Sequence, residues 1–360
     1  MQIEQLWVKR DALREMTVHR EAVKPLAEGE LRVAIERFGL TANNVSYAVS
    51  GDVIGYWQYF PAQGDWGIVP VWGFADVVES RCPELPVGER IWGFLPMASH
   101  LTLRPEGIED GRFFDGAAHR RDLPNLYNMY MRTAQDPEML RSLEDERCLL
   151  FPLFATSFIL YDYLVAHEMF GAGQVLIGSA SSKTGFGLAH LLKNDPKLTQ
   201  KVVGLTSAGN VDFVRGLVVC DEVVSYADIG ALEATTPSAF VDMAGSGPLI
   251  EAVHGHFGEQ IRESCIVGAT HWEDERKAGQ VAGARPTFFF APSHIARRDK
   301  EWGRGQAMLR AFAASVQITQ AVANQLAIER HQGVDAVGRQ WLAMLNNEIP
   351  PHRGLILSLL

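Results

Sequence analysis

"VLIGSASSKTGFGLAHLL" (residues 175–192) decides the fold of this chain, because it admits two readings with different chemistry. A P-loop requires GxxxxGK[ST], in which the second glycine lets successive N–H groups curl around phosphates. Here Gly178 is followed by Ser-Ala-Ser-Ser and then Lys183-Thr184, so the spacing is short and the second glycine is missing. The other reading is a buried strand ending at Ile177–Gly178, a turn of small residues, and a helix opening on Gly185-Phe186-Gly187. Leu188, Ala189, Leu191 and Leu192 supply that helix with an apolar side. Such a turn brings a pyrophosphate to backbone N–H groups at a helix N-terminus, where the partial positive charge favours an anion. The residues expected to meet a dinucleotide are Ser181, Ser182, Lys183, Thr184 and Gly185. Lys183 adds a full charge, and Gly187 is expected to let the helix pack closely on the strand.

Outward from this turn the pattern repeats. "KVVGLTS" (201–207), "EVVSYAD" (222–228), "AFVDMAGS" (239–246) and "SCIVGAT" (264–270) read as further short strands, with "NVDFVRGL" (210–217) as a helix. Short apolar strands alternating with helices indicate a parallel sheet covered on both faces, so the class is α/β and doubly wound. NAD-specific sites place an Asp or Glu about 20 residues after the turn, where it binds the ribose hydroxyls. Here the second strand ends on Thr206, Ser207 and Asn210, with no acid. Hydroxyls, an amide and the nearby Lys183 accept a 2′-phosphate that a carboxylate would repel, so the expected cofactor is NADP(H). His271-Trp272 follow the fifth strand, at the carboxyl edge where doubly wound folds bind ligands.

The first 120 residues differ: Gly, Pro and Trp punctuate short alternating runs such as "ELRVAIERFGL" (30–40), "WGFADVVES" (72–80) and "GERIWGFLP" (88–96), which suits a β-rich domain. Residues 104–147 read as a charged, irregular insertion, and 301–331 as one long helical stretch. The run 148–167, "CLLFPLFATSFILYDYLVAH", reads as a buried helix rather than a membrane span, since a proline and an aspartate interrupt it. With 33 Lys+Arg against 43 Asp+Glu the net charge is −10, which repels phosphate backbones and disfavours a nucleic-acid partner. The four cysteines are scattered without a CxxC pair, so no structural zinc lobe is expected. The opening residues lack the apolar core of a signal peptide, and a cytoplasmic location is expected.

These residues carry a family resemblance. "QVLIGSASSKTGFGLAHLL", "VVGLTSAGNVDFVRGLVVCDEVVSY" and "AFVDMAGS" resemble the nucleotide-binding half of medium-chain dehydrogenases/reductases, specifically the zinc-free quinone reductase branch. "GELRVAIERFGLTANNVSYA" and "WGFADVVESRCPELPVGERIWGF" resemble that branch's catalytic domain, and "HRGLILSL" its closing strand. Ser181 and Thr184 stand where Ala and Gly are usual, and "YNMY", "VGATHW" and "FFFAPSHIARRDKEWG" resemble a divergent branch known as a domain of unknown function.

The resemblance implies a Rossmann dinucleotide domain at 146–290 and a β-rich GroES-like catalytic domain at 1–145 plus 291–360, with the active site between them. It also implies a possible homodimer. The family's zinc-binding Cys and His-Glu pair are missing: "GLTANNVSYA" has no cysteine, and Phe74-Ala75 stand in place of His-Glu. The expected chemistry is therefore metal-free hydride delivery from NADPH to an activated alkene or carbonyl of a small molecule. The rival is a non-catalytic NADPH-binding protein that retains the fold. Asn44 and Tyr47 match substrate-loop positions of the branch and are the expected catalytic residues, with Tyr56, Tyr127 and Tyr130 as further aromatic candidates. Thr156 resembles family positions beside the nicotinamide, and Ala244 and Gly245 those beside its ribose.

Overall fold

Val175, Leu176 and Ile177 follow one another with no polar alternation, and a strand of that kind has no face to offer water. In the computed structural model, which describes residues 2–268 and 281–360, Gln174–Gly178 accordingly lies inside a sheet with all five residues buried. The sheet is parallel throughout. Its order is Glu222–Ser225, Lys201–Thr206, Gln174–Gly178, Ser238–Asp242, Ile261–Ile266, Thr287–Phe288. The two strands that follow Gln174–Gly178 are laid down on one side of it, and Ser238–Asp242 then pairs on the other. Open α/β sheets bind ligands outside the carboxyl ends of their strands at such a reversal. Leu176, Leu205, Phe240, Leu249 and Val253 form the core that holds these strands to their helices.

The chain forms two compact units, residues 1–149 with 327–360, and residues 150–326. The sequence suggested boundaries at 145/146 and 290/291. The segment 291–326 joins the parallel-sheet unit because Ala307, Ala311 and Ser315, four residues apart on the Gln306–Val322 helix, are all fully buried. Ala311 packs against Ala155 and Ile159, and the Ser315 hydroxyl lies 3.4 Å from the Phe151 carbonyl. A face of small side chains lets two helices approach closely. The helix read over 301–331 stops at Val322, and Ala327–Gln332 is instead a strand, paired in parallel with Arg353–Ser358.

The first unit is built on antiparallel pairing. Leu31–Leu40, Pro70–Ser80 and Arg90–Pro96 are the middle of a nine-stranded sheet. Residues 104–147 are not an unstructured loop: Arg112–Asp115 and Met129–Arg132 extend this sheet. A separate hairpin, Gln2–Lys9 with Ala12–Ala22, opens the chain. The Glu144–Ala166 helix is apolar and long enough to cross a membrane, yet 67% of its apolar window is buried in the protein. Phe154, Leu160 and Leu164 are fully enclosed, as in a core helix.

Candidate functional site

The turn at the end of Gln174–Gly178 begins with Ser179, held at φ 53° in the left-handed region. Its hydroxyl lies 3.1 Å from that of Tyr226. The Ala180 N–H donates to the Leu205 carbonyl (3.0 Å) and the Ser182 N–H to that of Ser179 (2.8 Å), which closes the turn onto the second strand. Ser182 caps the Lys183–Asn194 helix, accepting from the Gly185 N–H at 3.1 Å. The Ser181 hydroxyl, 8% exposed, receives the Thr206 hydroxyl at 3.2 Å and the Asn210 amide at 3.3 Å. Two of the expected cofactor-binding side chains thus converge on the oxygen of a third. Ser207 stands exposed beside them, ahead of the Ala208–Asn210 turn.

Lys183 occupies the first turn of the helix, with Thr184 next to it, both half-buried. Burial disfavours the charged form, and it pushes the Lys183 ammonium down to about 8. A Cβ on Gly185 would lie 2.7 Å from the Ser179 carbonyl oxygen, so the helix folds back under the turn only with glycine there. Gly187 serves a different neighbour from the one expected. A Cβ at that position would meet Phe154 Cδ1 and Ser157 Oγ, each at 2.6 Å, so it admits the Glu144–Ala166 helix rather than the strand. The Ser157 hydroxyl then donates to the Thr184 carbonyl at 2.8 Å, fixing the start of the helix.

The second turn of the cradle follows Ser238–Asp242, whose last residue pairs in register with Gly178. Buried Asp242 accepts from the Ala244 N–H (3.0 Å) and the Ser246 N–H (2.8 Å), while the Met243 N–H donates to the Gly178 carbonyl (3.3 Å). Gly245 takes φ 70°, which a side chain would resist. Ala244 and Gly245 are therefore brought beside the Ser179–Ser182 turn at the sheet reversal. The sequence did not point to Tyr226, and offered Asp242 only as the carboxylate a P-loop would need for magnesium; Asp242 ends a buried strand and Tyr226 directly follows the Glu222–Ser225 strand, and those positions were the available signal. The Thr156 hydroxyl turns back onto its own helix, donating to the Pro152 carbonyl at 3.1 Å. His271 and Trp272 lie outside the described residues.

The expected catalytic residues sit in the first unit. "GLTANNVSYA" is not a loop there but a helix, Ala42–Val49, started by Thr41. Asn44 is the reason: its Oδ1 accepts from the Thr41 N–H (2.7 Å) and hydroxyl (3.2 Å), and its Nδ2 donates to the Pro70 carbonyl (2.8 Å). Both ends of the amide are engaged in placing the helix, and one of the two Nδ2 hydrogens is spent on Pro70. Tyr47, one turn further on and 6% exposed, accepts from the Trp72 indole N–H at 3.2 Å. Burial holds its hydroxyl protonated, well above the ordinary tyrosine range. Around it stand Tyr56 and Phe94, with ring centroids 4.5 and 5.5 Å away. Tyr127 packs into this cluster, 4.7 Å from Phe94, whereas Tyr130 stacks elsewhere, on Phe113. Among the described residues no three His, Cys, Asp or Glu side chains stand together as a metal would need.

A doubly wound sheet with two small-residue turns at its reversal, joined in one chain to an antiparallel unit, is the fold of medium-chain dehydrogenases/reductases of the quinone reductase type. The chain belongs to the DUF2855 family, proteins of unknown function, whose family model matches residues 38–350. CurA from Vibrio vulnificus, solved in complex with NADPH, has a similar structure at 11% identity, TM-score 0.60, covering 99% of this chain and 98% of its own. Mycobacterial Rv1454c, complexed with NADPH, is similar at 12% identity and TM-score 0.61, with 99% of both chains covered. The quinone oxidoreductase from Coxiella burnetii is similar at 9% identity and TM-score 0.57, again over 99% of both chains. No curated protein matches the sequence.

Proposed function

We propose that this protein is a zinc-independent, NADPH-dependent reductase that acts on an activated alkene or carbonyl of a small molecule such as a quinone or enone. The observation that carries the reading is the cluster Ser181, Thr206 and Asn210 at the end of the second strand, beside Lys183 and without a carboxylate. Thr206 spends its hydrogen on Ser181, which leaves the Ser181 hydroxyl and the second Asn210 amide hydrogen to bond a 2′-phosphate, with the Lys183 ammonium supplying charge. Titration of Lys183 near neutral pH fits the same role, since an approaching phosphate favours its protonated form. Solved relatives of the same fold are complexes with NADPH, which supports this cofactor.

When bound, NADPH supplies the hydride. The Ser179–Ser182 turn and the Lys183–Asn194 helix would hold its pyrophosphate, and Ala244 and Gly245 would approach its ribose through backbone groups. Tyr47 is the proposed catalytic donor: its hydroxyl stays neutral at any working pH and hydrogen-bonds the oxygen on which negative charge develops. Asn44 sets the helix that carries it. The resemblance implies a cytoplasmic homodimer, which light scattering of the purified protein would test.

NADPH consumption in the presence of a panel of quinones and enones tests the reading. Turnover that falls in Tyr47→Phe while NADPH binding persists supports it. Tight NADPH binding without turnover of any member would leave a nucleotide-binding protein instead.

A further inference from the structure

Tyr56 and Tyr127 face each other with their hydroxyl oxygens 3.1 Å apart. They come from different places: Tyr56 from the short turn after the Ala42–Val49 helix, Tyr127 from the Asn125–Asn128 turn of the segment that read as an irregular insertion. Each is 7% exposed. A hydroxyl has one hydrogen to give, so only one of the pair donates to the other. The acceptor's own hydrogen has no further partner among the described residues. A buried donor left without an acceptor is costly, and in a soluble protein it is normally met by water or ligand.

The surroundings indicate what kind of ligand. Burial raises both phenols above their ordinary range, so they act as donors and not as phenolates. The Tyr47 ring is 4.5 Å from Tyr56 and 6.4 Å from Tyr127, and Phe94 and Trp72 stand 4.7 and 6.1 Å from Tyr127. Aromatic faces with phenolic hydroxyls among them match a planar conjugated molecule that carries an acceptor oxygen.

We propose that Tyr127 is a second oxygen-binding residue of this unit, its hydroxyl and that of Tyr56 together presenting one hydrogen to the carbonyl oxygen of a planar conjugated substrate. The substrate class rests on the reductase reading above; the oxygen site does not. Tyr47 and the tyrosine pair then give two donors, which suits the two carbonyl oxygens of a quinone.

The probe is 4-nitrophenolate, a planar oxyanion, titrated by its absorbance change into wild type, Tyr127→Phe, Tyr56→Phe and the double variant. Phenylalanine keeps the rings, and near-ultraviolet circular dichroism checks that their packing is unchanged. The expected result is binding by wild type and a loss of roughly 10-fold or more in the double variant, which has no hydroxyl hydrogen left to give, as for a hydrogen bond to a charged acceptor. Each single variant keeps one hydroxyl hydrogen and should lose less than the double variant. Equal affinity in wild type and the double variant, or no binding by wild type, overturns the proposal. NADPH titration of the same proteins separates the two ideas: probe binding without NADPH binding sinks the reductase reading and leaves the oxygen site standing.

Discussion

Replacing Lys183 by methionine should affect the free protein and its nucleotide complex in opposite directions. Folding draws the ammonium from 10.5 to about 8 because the side chain is partly withdrawn from water at the helix start. A difference of ~2.5 in pKa, at 1.36 kcal/mol for each, sets a ceiling of about 3 kcal/mol on the cost of charging it. The residue is not fully enclosed, and solvent screening reduces this to about 1–2 kcal/mol. The sign follows from linkage. Between about pH 8 and 10.5 the unfolded chain binds the proton better, so wild type is penalised at and below pH 8 and regains stability as the pH rises. Methionine removes the penalty, and at pH 7 the variant should melt roughly 1–3 °C higher, a gap that closes toward pH 10.5. The same change deletes a charge-assisted contact to the 2′-phosphate, worth about 1.5–3 kcal/mol, so NADPH binding should weaken roughly 10- to 150-fold while NADH binding changes little. Wild-type NADPH affinity should also fall as the pH passes 8. Calorimetry across pH and fluorescence titration with both nucleotides measure these effects. An unchanged melting temperature with equal losses of NADPH and NADH would refute the reasoning.

Two further substitutions test the packing. Asp162 accepts from His294 Nε2 at 2.6 Å and from Arg298 at 2.7 and 3.0 Å; burial alone would raise its pKa, but these bonds outweigh it and hold the carboxyl below its ordinary range. Its contribution is therefore present above about pH 4 and lost as the pH falls through the lowered value, so Asp162→Asn should cost about 2–3 kcal/mol in denaturant melts at pH 7 and flatten the acid limb of the stability curve. Gly187→Ala places a Cβ 2.6 Å from Phe154 and Ser157 and should cost about 1–3 kcal/mol by calorimetry; a neutral result would mean that the two helices separate freely.

The parallel-sheet unit was legible because its signals are local. Apolar runs bounded by small residues mark buried strands, and the missing acid after Thr206 is visible in the sequence itself. The Ser181–Thr206–Asn210 convergence follows directly from strands one and two being neighbours. What failed depended on partners far away in sequence. Gly187 has the same spacing whether it faces a strand or a helix, and only the position of Phe154 decides. That Asn44 ties its helix to Pro70, 26 residues on, has no local signal in "GLTANNVSYA". Ala327–Gln332 contains good helix formers, yet pairing with Arg353–Ser358 overrides their propensity. The opening hairpin alternates charges on a partly exposed face, and Tyr127 lies in a segment with no periodicity at all, so neither could be placed without the strands they meet.

The central claim is that the turn "SASSKTG" with Thr206 and Asn210 holds NADPH. The most direct measurement is titration of purified wild-type protein with NADPH and with NADH, followed by nicotinamide fluorescence. The account predicts saturable binding of NADPH and at least tenfold weaker binding of NADH, about 1.4 kcal/mol of discrimination from the 2′-phosphate site. Equal affinity for the two, or binding of neither, would contradict it.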